Sequence, residues 1–241
     1  MDFDEARWSQ LIKEPDWYLQ FNDFITDAKQ KLKPESEELN QLNKTVRHFF
    51  EAALQEEKVS LAKQGPDLDK QRQPVDTIVI HHTSARPGYR LTYLNAVHLL
   101  NIYVPYYANP TVRGEKDLKG QPMWSGHFYG GKQVFWGYHW FMGRDGKPVR
   151  LLEDQQIGWH AGDWKINRRS IGICLDNDYE QQDPDDAVLK KLAGLIRQNY
   201  PSIKSSNVIG HRESNLNTTC PGGNFIGGWK DKLLSYVEES R

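Results

Sequence analysis

The sequence has few cysteines, no long hydrophobic run and almost no net charge. Its two cysteines among 241 residues, Cys174 and Cys220, allow one disulfide at most and exclude a disulfide-dense secreted scaffold. No run of about 18 apolar residues is present, so we expect no membrane span. The formal net charge of −1 argues against a nucleic-acid partner, because phosphates require a basic binding face.

The first residues also lack a targeting signal. Met1–Glu5 carries neither the basic segment nor the apolar segment of a signal peptide. We therefore expect the chain to be synthesised in the cytoplasm. Aromatic residues make up 12% of the chain and hydrophobic residues 38%, which is enough to build a folded core.

Residues 1–63 are predicted to form a helical extension, and residues 64–75 a polar, turn-rich linker. Within 15–33, apolar residues recur every three or four positions, and a second such run begins after Pro34. Two amphipathic helices must each bury an apolar face. We therefore expect them to pack as a helical hairpin and to bury part of these faces on the domain that follows or on a second copy of the chain. The alternative is that the helices cover the cleft of that domain.

Residues 76–241 alternate between short apolar runs and amphipathic runs, which is typical of an α/β domain. The first strand, Ile78–Ile80, is β-branched throughout and is followed directly by His81 and His82. A buried strand that ends in imidazoles is a rigid mount for a metal or an acid/base group. The same pair is also consistent with polar residues where a strand meets solvent.

A second histidine ends another short apolar strand. The predicted strand 207–210 leads into His211, and Cys220 follows nine residues later. A thiolate and two imidazoles are ligands that Zn²⁺ prefers, and three protein ligands leave one tetrahedral position for water. Singly, His211 is also consistent with an exposed loop residue and Cys220 with a small buried apolar residue. Together they favour a metal site.

Five motifs occur in an order that resembles one superfamily. They are Ile80-His81-His82-Thr83-Ser84, Gly137-Tyr138-His139-Trp140, Trp159-His160-Ala161-Gly162, Arg169-Ser170-Ile171-Gly172-Ile173, and Gly210-His211-Arg212 with Cys220-Pro221-Gly222. The superfamily is that of the zinc-dependent N-acetylmuramoyl-L-alanine amidases, which includes phage endolysins and peptidoglycan recognition proteins. The resemblance covers about residues 76–238. It implies an α/β fold with a central mixed β-sheet flanked by helices, to which the N-terminal helices are an extension.

The resemblance also implies a set of site residues. The Zn²⁺ ligands would be His81, His211 and Cys220. Tyr138 matches a tyrosine that helps to position the water or the reacting carbonyl. Thr218 falls where catalytic members carry a lysine or a threonine, although the spacing between His211 and Cys220 leaves Thr219 and Asn217 as alternatives for this role.

The remaining motif residues receive weaker roles. His160, Trp159 and Arg169 are candidate substrate contacts, and for His160 a purely structural hydrogen bond is an equal alternative. His82 is predicted to support the site or the strand rather than to bind metal. His139 alternates with Tyr138 and should face away. Cys174, inside an apolar strand, is predicted to lie in the core.

The stretch 105–131 has no counterpart in compact members of the superfamily. It is rich in aromatic residues and glycines and shows no clear periodicity, so we interpret it as an irregular insertion that frames the cleft. Its aromatic side chains could stack on sugar or peptide, or could fold the segment on itself. We favour the second interpretation.

The resemblance implies zinc-dependent hydrolysis of the amide bond between N-acetylmuramic acid and L-alanine in peptidoglycan or soluble muropeptides. One alternative is a recognition module that binds peptidoglycan without cutting it, and the presence of all three ligands favours the enzyme. Another is a thiol hydrolase with Cys220 as nucleophile and His211 as its base. We expect action in the cytoplasm, or on the cell wall after lysis or non-classical export. The sequence does not indicate an oligomeric state.

Overall fold

The computed structural model describes residues 2–109 and 118–239. The helices are α1 (Glu5–Leu11), α2 (Trp17–Lys31), α3 (Glu37–Gln55), α4 (Leu91–His98), α5 (Val104–Ala108), α6 (Trp164–Asn167), α7 (Asp186–Asn199), α8 (His211–Ser214) and α9 (Lys230–Glu238). The strands are β1 (Thr77–His82), β2 (His127–Tyr129), β3 (Lys132–Val134), β4 (Trp140–Met142), β5 (Pro148–Arg150), β6 (Ser170–Leu175) and β7 (Val208–Gly210). Within the described residues, none of the helices combines the length and hydrophobicity that a membrane span requires.

The chain forms two compact units. The first comprises Met1–Asp67 and Arg90–Phe135, and the second comprises Leu68–Tyr89 and Trp136–Arg241. Each unit is therefore built from two separate segments of the chain. The sequence-based domains, 1–63 with a linker at 64–75 and then 76–241, stay a prediction.

The first unit has an aromatic interior built largely by α2 and α3. The side chain of Ser36 caps α3 by accepting a hydrogen bond from the backbone N–H of Leu39 at 3.3 Å. The buried residues of the two helices are Trp17, Tyr18, Phe21 and Ala28 in α2, and Leu42, Val46, Phe50, Glu51 and Ala53 in α3. They follow the three-and-four spacing seen in the sequence. α2 packs on α5 and α3 packs on α4, so the amphipathic faces are covered within this unit.

The stretch 105–131 contains regular structure, which the sequence did not lead us to expect. Most of it before residue 110 belongs to α5, and β2 pairs with β3 in an antiparallel hairpin. The hairpin turn uses Gly130 and Gly131 at φ of 57° and 80°, a conformation that glycine adopts without strain. The expectation of an irregular segment is wrong for these elements, because three-residue strands are too short to show alternation. Residues 110–117 of the stretch lie outside the described residues.

A five-stranded sheet forms the centre of the second unit, in the order β5-β4-β6-β1-β7. β4, β6, β1 and β7 run parallel, and β5 is an antiparallel edge strand paired with β4. This mixed sheet with flanking helices confirms the predicted fold class. The apolar runs β1 and β6 lie side by side at its centre, where burial on both faces requires sequences of this kind.

The two faces of β1 and β6 differ because side chains alternate along a strand. One face packs into a hydrophobic core with α7 and α9 through Ile78, Ile80, Ile171, Ile173 and Leu175. In the strand register, the opposite face carries Thr77, Val79, His81, Ser170, Gly172 and Cys174. This second face is buried as well, but apart from Val79 its residues are polar or small. The alternation therefore sends His81 to one face and His82 to the other.

Candidate metal centre

Strand topology brings the three predicted ligands together. His81 lies near the end of β1, and His211 opens α8 directly after β7. β1 and β7 are parallel neighbours with Ile80 opposite Gly210, so the residues that follow meet at the carboxyl edge of the sheet. The rings of His81 and His211 are 4.6 Å apart between centroids. The ligand atoms of His81, His211 and Cys220 all lie within 4.8 Å of one another.

The turn that carries Cys220 is held against β1 and α8 by the backbone. The thiol Sγ accepts a hydrogen bond from the backbone N–H of His82 at 3.4 Å and lies 3.8 Å from Nδ1 of His81. The carbonyl of Cys220 accepts from the backbone N–H of Arg212 at 2.7 Å. Gly210 makes the close packing possible, because a Cβ there would lie 2.7 Å from the ring of Pro221.

The electrostatics of these groups fit a cation. Burial lowers the pKa of His211 to about 4, with a backbone contact to Ala161 acting in the opposite direction, so the imidazole is neutral at pH 7 and able to bind a metal. Its Nε2 is buried without a hydrogen-bond partner in the described part of the chain. Burial raises the pKa of the Cys220 thiol to about 12, against the effect of the His82 N–H. A thiolate at this position therefore needs a cation, and two imidazoles with one thiolate suit Zn²⁺.

The same pKa values do not suit a thiol nucleophile. The reactive species of such an enzyme is the thiolate, which forms when a nearby cation or imidazolium lowers the pKa of the cysteine. At Cys220 the pKa is raised instead, and Glu180 raises it further. His211, the predicted base, is held neutral by burial. Without a cation, Cys220 stays a protonated thiol at neutral pH.

Tyr138 lies beside the cluster. Its ring centroid is 4.8 Å from that of His81, and its hydroxyl lies against the Cys174 thiol. Burial, together with Cys174 and Cys220, raises the pKa of Tyr138 well above its usual value, so the hydroxyl keeps its proton and can donate. Cys174 is fully buried, which confirms that it belongs to the core.

Thr218 contacts the backbone of a predicted ligand. Its Oγ1 accepts a hydrogen bond from the N–H of Cys220 at 3.1 Å. Of the two alternatives, Thr219 hydrogen bonds to Glu180, and the backbone N–H of Asn217 donates to the side chain of Asn215. Among these three, Thr218 is therefore the one whose side chain hydrogen bonds to a predicted ligand residue. Its catalytic role stays a prediction.

His160 contacts a predicted ligand directly. Its Nδ1 lies 3.0 Å from Nε2 of His81, and its Nε2 lies 3.2 Å from Oγ of Ser170. The His160 side chain is nearly inaccessible, with 5% of the residue surface exposed. These contacts favour the hydrogen-bonding alternative over a substrate contact. Sequence reasoning missed Ser170 in this arrangement.

Trp159 and Arg169 have structural contacts. Trp159 is 4% exposed and packs edge-on against Trp164, with ring centroids 6.0 Å apart. Arg169 donates to Oδ1 of Asp76 at 2.5 Å and to Oγ1 of Thr77 at 2.7 Å. Thr77 begins β1, four residues or about 13 Å from His81 along the strand. The structure thus does not bring Arg169 to the cluster, and the predicted substrate contacts of both residues stay untested.

The other two histidines in the motifs, His82 and His139, hydrogen bond to residues outside the cluster. Nδ1 of His82 accepts from the backbone N–H of Tyr179 at 3.0 Å, and its Nε2 lies 3.5 Å from Oε1 of Glu180. His139 is fully buried and hydrogen bonds to the carbonyl of Gln156 and the backbone N–H of Gly172. These contacts give His82 and His139 hydrogen-bond partners outside the predicted ligand set.

Comparison with known proteins gives one family. A family model described as N-acetylmuramoyl-L-alanine amidase matches residues 71–223. Among solved structures, the chain is similar to the endolysin N-acetylmuramoyl-L-alanine amidase LysCS from Clostridium intestinale URNW, at 17% identity over 73% of this chain and 91% of that chain, with a TM-score of 0.48. It is also similar to the Ph2119 endolysin from Thermus scotoductus MAT2119 bacteriophage Ph2119, at 20% identity over 68% and 86%, with a TM-score of 0.44. A third similar structure is a Se-Met derivative of AmpD, at 23% identity over 67% and 85%, with a TM-score of 0.42. No curated protein sequence matches the chain.

Proposed function

Because the chain belongs to the N-acetylmuramoyl-L-alanine amidase family, we propose that it is a zinc-dependent hydrolase of peptidoglycan or muropeptides. The bond cleaved is the amide between N-acetylmuramic acid and the L-alanine of the stem peptide. The observation that carries the proposal is the cluster of His81, His211 and Cys220, with ligand atoms within 4.8 Å of one another.

The cluster supplies the donors that a zinc hydrolase needs. Zinc bound to such a set supplies Lewis-acid activation of water and of the amide carbonyl. The His211 imidazole binds without competition from protons at pH 7, because burial lowers its pKa to about 4. Nδ1 of His81 faces the Cys220 thiol at 3.8 Å. The backbone N–H of His82 donates to Sγ of Cys220 and so stabilises negative charge on the sulfur.

Tyr138 is the proposed hydrogen-bond donor to the reacting carbonyl. Amide hydrolysis places negative charge on the carbonyl oxygen, and a preorganised donor stabilises that charge more than it stabilises the substrate. The raised pKa of Tyr138 keeps its hydroxyl protonated, so that it can act as a donor. The Thr218 hydroxyl, which accepts from the N–H of Cys220, is a second candidate donor.

Digestion of purified peptidoglycan, followed by mass analysis of the products, tests the proposal. We expect free stem peptides with an N-terminal alanine and glycan strands with intact N-acetylmuramic acid. Chelation should abolish the activity, and added zinc should restore it. His211→Ala should be inactive. His48→Ala is the matched control and should keep activity, because it removes an exposed histidine of α3.

Each alternative gives a different result. A recognition module would retain peptidoglycan in a pull-down assay and release no stem peptide. A thiol hydrolase would survive chelation and lose activity in Cys220→Ser. Either result would contradict the proposed function.

A further inference from the structure

We infer that His160 is a positioning residue that orients the predicted ligand His81, and that Ser170 and Gly172 hold His160 in place. The inference rests on the proposed zinc site. It assigns a role in metal binding to the buried series of hydrogen-bonded side chains Ser170, His160 and His81. Nothing in this role requires His160 to touch substrate.

The hydrogen bonds among Ser170, His160 and His81 are consistent with one set of proton positions. Nδ1 of His81 faces Sγ of Cys220 at 3.8 Å, so this nitrogen must be unprotonated to bind a metal. The proton of His81 then lies on Nε2 and is donated to Nδ1 of His160 at 3.0 Å. His160 in turn carries its proton on Nε2, which donates to Oγ of Ser170 at 3.2 Å. Each nitrogen has one role, and no ring has to be charged.

The strand beneath His160 is shaped to receive its ring. Ser170 and Gly172 lie on the same face of β6 because they are two residues apart. A Cβ at Gly172 would lie 2.7 Å from Cγ and 2.8 Å from Cδ2 of His160. Glycine is needed here for space, since its φ is not among the positive values in this chain. A glycine within a strand is the sequence signal for such a close approach.

The backbone of His160 is fixed as well. The N–H groups of His160 and Ala161 both donate to Oδ1 of Asn167, at 3.2 Å and 2.8 Å. Asn167 is 1% exposed and ends α6, whose first turn is capped by Asp163. The ring and the main chain of His160 are thus held from separate directions. This is the arrangement expected of a residue whose orientation matters.

The consequence for the metal follows from the hydrogen bond to His81. A partner on the second nitrogen fixes the ring orientation of a metal-binding histidine and raises its basicity, and losing such a partner typically lowers metal affinity by about 10- to 100-fold. Without His160, Nε2–H of His81 would lose this acceptor. The ring could then rotate its Nδ1 away from Cys220.

Zinc affinity, measured by competition with a chromophoric chelator, tests this role without using activity. His160→Ala and Gly172→Ala should each weaken zinc binding by about 10- to 100-fold. Ser170→Ala removes only the hydroxyl and should give a smaller loss in the same direction. His160→Gln should bind zinc nearly as tightly as the wild type and more tightly than His160→Ala. The amide oxygen of the glutamine can accept from His81, and its NH₂ group can donate to Ser170. His98→Ala removes a buried imidazole from the first unit and should leave zinc affinity unchanged.

Cobalt substitution supplies a second measurement. The visible absorption of bound Co²⁺ reports the ligand geometry and should shift in His160→Ala but not in His98→Ala. Wild-type zinc affinity and an unchanged cobalt spectrum in both His160→Ala and Gly172→Ala would overturn the inference, even if both variants were less stable. A protein that binds zinc with the expected variant pattern but releases no stem peptide would instead overturn the proposed function alone.

Discussion

The two compact units of the chain bury different kinds of side chain. In the first unit the interior is a cluster of aromatic rings, in which Phe50 lies 4.9 Å from Trp17 and 5.0 Å from Phe21 between centroids. In the second unit, β1 and β6 pack isoleucine and leucine side chains into the hydrophobic core on one face, and on the other face they bury polar or small residues together with Val79. Aromatic packing stabilises a fold, whereas buried polar groups cost free energy unless they are paired. The second unit therefore holds groups that are better explained by chemistry than by stability.

Buried histidines show the same difference. His98 in the first unit is buried, with 5% of its surface exposed, and this burial lowers its pKa to about 3. In the second unit, His81 lies within hydrogen-bonding distance of His160, and its ring centroid is 4.6 Å from that of His211 with the two rings tilted by 51°. Burial of a histidine is thus not by itself the sign of a site. The informative observation is that several imidazoles and a thiol converge.

The largest effect that we expect concerns the stability of the first unit. Phe50→Ala should lower the free energy of unfolding by roughly 3–5 kcal/mol, because it leaves a cavity among packed rings. Zinc content of the folded protein should not change. Denaturant unfolding followed by near-ultraviolet circular dichroism, with zinc analysis of the same samples, measures both.

Phe128→Ala is the matched control for that prediction. Phe128 belongs to β2 in the same unit but is 53% exposed. We expect a change within about 0.5 kcal/mol, as for an ordinary surface substitution. Equal destabilisation by the two variants, or loss of zinc in Phe50→Ala, would contradict the division of roles between the units.

The next effect concerns turnover in the second unit. Tyr138→Phe should keep zinc and fold but lower kcat by roughly tenfold to a thousandfold, the range for one lost transition-state donor. Tyr107→Phe is the control, because it removes a hydroxyl that hydrogen bonds to Trp124 in the first unit. Steady-state kinetics on a soluble muropeptide separate kcat from KM. If turnover were unchanged in Tyr138→Phe, the residue would have no part in the mechanism.

The smallest effect is a pH dependence in the first unit. The pKa of His98 is lowered from 6.5 to about 3, so between these values the unfolded chain binds a proton that the folded chain does not. The contribution of this group to the free energy of unfolding is therefore greatest above pH 6.5. Below that pH, the free energy of unfolding falls by about 1.4 kcal/mol for each pH unit. In His98→Leu, the free energy of unfolding should therefore fall less steeply between pH 7 and pH 5 than it does in the wild type. Parallel stability curves for the two proteins over that range would show that His98 does not titrate in this way.

Much of the second unit is predictable from sequence, because its signals are local. The continuous apolar runs of β1 and β6 indicate central strands, and Asp145-Gly146 indicates the hairpin of β4 and β5. The spacing within α7 gives its buried face. His81 lies near the end of β1 and His211 directly follows β7, and the structure brings both together with Cys220. Their role as zinc ligands stays a proposal.

The remaining features depend on contacts between residues far apart in sequence. The first unit joins two segments separated by β1, and no local pattern encodes that pairing. His160 reaches His81 across 79 residues and Ser170 across 10, so its hydrogen-bonding role was only one of two alternatives. Gly172 was the one local sign of the close approach. Arg169 matches a motif by position, yet its contacts with Asp76 and Thr77 depend on the tertiary fold.

Elemental analysis of the purified protein tests the central claim most directly, because the proposed chemistry of the second unit depends on its metal. We predict about one zinc per chain in the wild type and loss of that zinc in His211→Ala, with the two proteins otherwise folded alike. Full zinc occupancy in His211→Ala, or a wild-type protein that takes up no zinc when the metal is supplied, would contradict the ligand set of His81, His211 and Cys220.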